Sequence, residues 1–107
     1  MKAWLLVLPL LAALAACGAS PIPQPTAGDA SRGAAHFPDL TLSELSQGRS
    51  LYVSRCGSCH VLKRPDELRP EQWQVEVKEM RSKNGVRLSD TEAQAIVRYL
   101  TIAASPG

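Results

Sequence analysis

One short run constrains this chain more than any other: Cys56-Gly57-Ser58-Cys59-His60, two thiols with an imidazole directly after the second. The sequence has only three cysteines and two histidines, so this run holds most of its soft-donor chemistry. Such a cluster can serve a dithiol redox pair, a metal ion or a covalently attached cofactor. The rest of the chain must decide among them, because each would demand a different fold around these residues.

The compartment narrows the choice. The first twenty residues read MKAWLLVLPLLAALAACGAS. A single charge at Lys2, a Leu/Val/Ala run and small residues after it have the order of a secretory signal peptide. The run is short for a spanning helix, which needs ~20 apolar residues. Leu14-Ala15-Ala16-Cys17 resembles the lipobox of bacterial lipoproteins. That resemblance implies cleavage after residue 16 and lipidation of Cys17, with the domain facing the periplasm. Gly18 in place of an aspartate slightly favours the outer membrane. Cys56 and Cys59 are then the remaining pair, and Met80 the last methionine after Met1 is removed. The formal charge of +2 includes Lys2. Such a small value gives no reason to expect a nucleic-acid partner.

Residues 17–40 read as a lipid-anchored flexible linker, rich in Pro, Gly, Ala and Ser and without apolar period. Fully extended, about 23 such residues reach ~70 Å at ~3.1 Å each. His36 falls here as a solvated linker histidine, with packing of the His36–Phe37 pair back onto the domain as the alternative. Residues 41–104 form the domain. Thr41 and Glu44 stand at capping-box spacing and open a helix predicted over 42–55, with Gly48 inside it. Residues 61–70 carry Pro65 and Pro70 and read as loop. A second helix follows, placing Trp73, Val77 and Met80 on one face and ending at Asn84-Gly85. Ser89 and Glu92 open a third, with Ala93, Ile96, Val97 and Leu100 on its apolar face. No segment reads as a strand.

A thioredoxin-like Cys pair belongs at the start of a helix in a βαβ setting, whereas this pair follows a helix. Structural zinc needs about four ligands, and three residues, two of them adjacent, are too few. Cys-x-x-Cys-His is the attachment sequence of c-type haem: two thiols for the vinyl groups and an imidazole for the iron.

With its glycine and aromatic before the cysteines (GRSLYVSRCGSCH), its later Trp73…Met80 face and its terminal IVRYL, the chain resembles a class I cytochrome c in compact form over about residues 43–102. The resemblance implies an all-α fold of three to four helices around one covalent haem c. Gly48, Tyr52 and Tyr99 would mark a close crossing of the first and last helices. Cys56 and Cys59 would carry the haem, His60 would be the proximal iron ligand and Met80 the distal one. The Pro65 carbonyl, or that of Pro70, would accept the His60 Nδ1–H. Trp73, Leu62, Val77, Ile96 and Leu100 are expected pocket walls. The implied role is single-electron transfer between protein redox partners, with no small-molecule substrate and no catalysis by the chain itself. A gas sensor with an open distal site, or a haem subunit of a larger oxidoreductase, are the alternatives.

Overall fold

The computed structural model describes residues 22–57 and 61–105. The leader, Cys17, Cys59 and His60 lie outside these residues.

Four helices make up the described chain: α1 (Ala27–Gly33), α2 (Leu42–Leu51), α3 (Gln72–Ser82) and α4 (Asp90–Ala103). No strand occurs among the described residues, so the expected all-α class holds. α2 starts where Thr41 Oγ1 accepts the Glu44 backbone N–H at 3.0 Å, filling one of the donor positions a helix start leaves open. α4 starts with a reciprocal box: Ser89 Oγ accepts from Glu92 N at 3.1 Å and Glu92 Oε1 accepts from Ser89 N at 3.0 Å. α3 ends before Gly85, whose φ of 68° lets the chain reverse. The Val86 N–H closes that reversal on the Met80 carbonyl at 3.0 Å.

α2 and α4 cross face to face at Gly48. A Cβ there would stand 2.1 Å from the Ala95 carbonyl oxygen and 2.9 Å from Tyr99 Cβ. Only a residue without a side chain permits this approach, so the expected close crossing is present. Leu45, Tyr52, Ile96, Tyr99 and Leu100 bury themselves around it, and α3 adds Trp73, Val77 and Met80. No buried polar or charged residue interrupts this core among the described residues.

Two expectations need correction. The first helix is α-helical only to Leu51 and continues as one π-helical turn, Tyr52–Cys56. Its wider i→i+5 bonding runs into the first cysteine of the motif, and π turns recur at functional sites. Tyr52 and Cys56 point inward, and Val53, Ser54 and Arg55 outward.

The larger correction concerns the expected flexible linker over 17–40. From Ile22 onward it is folded. α1 begins with a capping box in which Thr26 and Asp29 exchange bonds of 3.2 and 2.8 Å. Ile22 and Leu40 are buried, and Phe37 packs half-buried on the same core. Four tertiary ties hold the segment. The Arg49 guanidinium donates twice to the Ile22 carbonyl, at 3.1 and 3.0 Å. Tyr99 O–H donates to the Pro23 carbonyl. Arg32 donates to the carbonyls of Ile102 and Ser105 at the end of α4. Arg98 pairs with Glu44 at 2.8 Å and Asp39 at 3.2 Å while stacking 5.0 Å over the Phe37 ring. Composition suggested disorder, but tertiary hydrogen bonds and apolar burial compensate for the weak local propensity of a short, glycine-containing helix.

Candidate functional site

Of the four residues expected to hold a haem, the structure describes two. Cys56 ends the π turn and is 3% exposed; Met80 sits near the end of α3 and is 5% exposed. Helical phase carries Met80 inward, since Trp73, Val77 and Met80 follow one another at helical spacing on a single face. Both sulfur residues belong to the one apolar cluster of the domain. Cys59 and His60 follow Cys56 directly in the chain, but their placement is outside the described residues.

The chain leaving the motif is pinned by two aromatic donors. Tyr52 O–H donates to the Lys63 carbonyl at 2.7 Å, and Trp73 Nε1–H donates to the Pro65 carbonyl at 2.9 Å. The rings meet edge to face, with centroids 5.8 Å apart and planes at 79°, a favoured aromatic geometry. Burial pushes the Tyr52 phenol far above its usual value, with the negative charges of Glu67 and Glu76 adding to it. The hydroxyl therefore stays a neutral donor. Burial likewise raises Tyr99 to about 12, against the opposing influence of Arg49. The proline carbonyl expected to orient His60 is thus engaged by Trp73. A carbonyl has two lone pairs, so this bond still leaves one acceptor position on Pro65. Sequence reasoning had placed Trp73 in the pocket wall without foreseeing its bond to this loop.

An open cleft of about 660 Å³ is lined by Arg55 and Arg81, the chain neighbours of Cys56 and Met80, together with Lys78, Val86, Arg87, Leu88 and Glu92. Arg55 donates to the Arg87 carbonyl at 2.8 Å and Arg81 to the Leu88 carbonyl at 2.9 Å. The two guanidiniums thereby fix the chain between α3 and α4 as one wall. Arg55 also pairs with Glu92, and Arg81 with Asp90. The lining thus sets four cations, Arg55, Lys78, Arg81 and Arg87, beside Glu92, and Arg55 and Arg81 are held in ion pairs. Glu79–Lys83 is a further i,i+4 pair, at 3.3 Å. His36 is exposed and leans on Phe37, with ring centroids 6.5 Å apart.

The residues present fit a haem by the chemistry of their donors. A porphyrin needs apolar walls, and here Leu62, Leu68, Val86 and Leu88 pack half-buried against the core that holds Cys56 and Met80. A thioether is a recognised axial ligand and a thiol the attachment group. Among the described residues no charged side chain is buried in that core to oppose the apolar macrocycle.

Neither curated proteins nor solved structures gave a match to the chain. A family profile described as quinohemoprotein amine dehydrogenase A, alpha subunit, haem binding, matches residues 46–105. That range takes in most of α2, the cysteine motif, α3 and α4, and starts after the folded N-terminal segment. Covering more than half of the chain, and joined to an all-helical fold with Cys56 and Met80 in its core, the match places this protein in the family of haem-binding domains named for the quinohemoprotein amine dehydrogenase alpha subunit.

Proposed function

We propose that this haem-binding domain is a monohaem c-type cytochrome of compact class I build, lipid-anchored at Cys17 and facing the periplasm, which passes single electrons between protein partners. The observation that carries the reading is the placement of Cys56 and Met80 in one charge-free apolar core, with Cys56 opening a Cys-x-x-Cys-His run. Cys56 and Cys59 would hold the haem through thioethers, and His60 and Met80 would ligate its iron. When bound, the haem supplies the one-electron couple.

The chain's own residues supply the setting. Tyr52 and Trp73 fix the loop after the motif through the Lys63 and Pro65 carbonyls. Trp73, Val77 and Met80 keep water from the buried face of α3. Lys78 and Arg87 on the cleft rim would meet the haem carboxylates with charge-assisted bonds. A thioether donor favours the reduced iron relative to a second imidazole, raising the potential.

Optical spectra of protein matured in a periplasm test the ligand assignment. Wild type should be low-spin, with the long-wavelength sulfur-to-iron band in its ferric form. Met80→Ala should lose that band and bind carbon monoxide when ferrous. A wild type that lacks the band and binds carbon monoxide as readily as Met80→Ala contradicts the Met80 assignment and supports a sensor with an open distal site. A second reading has support in the family itself, whose description names a subunit of a dehydrogenase: the chain would be the haem subunit of a larger oxidoreductase. Stable co-purification of other subunits through the anchored chain would favour it.

A further inference from the structure

The folded segment before α2 changes what an anchor at Cys17 would do. We infer that residues 22–40 are a docked strap that holds the haem-binding domain directly against a lipid surface, with the strap's entry point facing the bilayer. The inference rests on the lipid-anchor reading proposed above.

The strap is fastened at its start, middle and end, to three different parts of the domain. Ile22 is 3% exposed and its carbonyl takes both Arg49 donors, while Pro23 takes the Tyr99 hydroxyl. Arg32 ties α1 to the last turn of α4, and Arg98 ties Phe37 and Asp39 to α2 and α4. These attachments are far apart in the chain, so losing one leaves the others in place. Among the described residues the ties to the domain thus begin at Ile22, well before Thr41.

Five chain steps separate Cys17 from Ile22. At no more than ~3.6 Å each they reach about 18 Å, compared with ~70 Å for a fully extended linker of about 23 residues, or ~25–30 Å for the same linker as a flexible coil. An acylated Cys17 sits at the headgroups, so the Ile22 edge of the domain must lie within that shorter distance of them. The same edge borders the loop that follows the cysteine motif. Pro23, Gln24 and Pro25 share a small pocket of about 260 Å³ with Arg64, Pro65 and Asp66. The charges there are paired, Arg32 with Asp29 and Arg64 with Asp66. The acyl chains, rather than basic attraction to lipid, would then supply the affinity. A domain held in this way exchanges electrons at one membrane surface and does not sweep the space above it.

Neutron reflectometry of the lipidated protein on a supported bilayer reads the geometry directly. The wild type should give a protein layer starting within about 18 Å of the headgroups. An insertion of about 20 Gly/Ser residues between Ser20 and Pro21 should move that layer outward and broaden it, because such a coil spans ~25 Å. Arg49→Ala combined with Tyr99→Phe, in protein shown to be folded by circular dichroism, should broaden it in the same direction. A wild-type layer already separated by a wide gap, and unchanged by the insertion, overturns the strap while leaving the anchor intact. No wild-type layer, or one that Cys17→Ser retains, overturns the anchor reading and the inference with it.

Discussion

Gly48→Ala isolates the helix crossing on which the domain is built. In an open helix the change should stabilise by ~1 kcal/mol through propensity. Here the added Cβ would lie 2.1 Å from the Ala95 carbonyl oxygen and 2.7 Å from its carbon. Both are backbone atoms of a packed helix, so no flexible side chain can yield. Ordinary contact begins near 3.4 Å, leaving a shortfall of 1.3 Å that only separation of α2 from α4 can remove. A gap of ~0.5–1 Å already forfeits a quarter to a half of a dispersion well, and Leu45, Tyr52, Ile96, Tyr99 and Leu100 all pack around this crossing. Overpacking of this kind costs ~1–3 kcal/mol and sometimes more. Taking the upper end, because backbone is involved, the net loss is about 2 kcal/mol after the propensity gain. For a domain of this size that lowers the melting midpoint by ~10 °C or more. The assay is thermal unfolding of the haem-loaded protein by far-ultraviolet circular dichroism. Gly28→Ala in α1 is the control, since its Cβ would meet only Thr26 Oγ1, at 3.6 Å, and it should hold or raise the midpoint. A Gly48→Ala protein that melts at or above wild type refutes the close-crossing argument.

Trp73→Phe keeps the ring in the core but removes the bond to the buried Pro65 carbonyl; it should cost about 1–3 kcal/mol in denaturant unfolding and speed hydrogen exchange in residues 61–65. Cys17→Ser should give a folded, haem-loaded protein that stays soluble on fractionation, and persistence in the membrane pellet after a high-salt wash would refute lipid as the anchor. Acid should weaken the fold through three carboxyls held below their ordinary values. For Asp29, burial pushes the other way, but bonds from the Thr26 backbone and Arg32 prevail; for Asp39 the cause is the Arg98 bond, and for Glu92 the Ser89 N–H. A depressed carboxyl stabilises above its unfolded value, 3.8 for Asp and 4.5 for Glu, and that contribution disappears as pH falls through the lower folded value. The melting midpoint should therefore be insensitive to these groups above about pH 5 and fall below about pH 4, with a shallower fall in Asp29→Asn; equal acid slopes in the two proteins would argue against a role for the α1 cap.

The helices that carry the site were legible because their signals are local. Ser89 and Glu92 announce the start of α4, Asn84-Gly85 the end of α3, and the spacing of Trp73, Val77 and Met80 the buried face. Gly48 was legible through the family resemblance, and its backbone contact with Ala95 supplies the physical reason. α1 was not legible. Its seven residues include two glycines and lie in a proline-rich stretch, and what holds it is tertiary: Arg49, Tyr99 and Arg98 lie between 27 and 76 positions from the strap residues they bind. The one local trace was Thr26 and Asp29 at capping-box spacing, with aspartate where glutamate or glutamine is usual. The π turn was equally hidden, because Tyr52 and Cys56 are four residues apart and inward-facing in an ordinary helical reading as well. Likewise, nothing in the spacing of Trp73 and Pro65 shows that an indole N–H meets a proline carbonyl across the loop.

Covalent haem at Cys56 and Cys59 is the claim on which the functional reading turns, and intact-mass spectrometry of protein matured in a periplasm, then fully denatured, tests it most directly. The wild type should retain the mass of one haem under denaturation. Cys56→Ala and Cys59→Ala together should retain none, because no thiol remains to form a thioether. A denatured wild-type chain without haem, carrying instead the two-proton mass deficit of a Cys56–Cys59 disulfide, would contradict it.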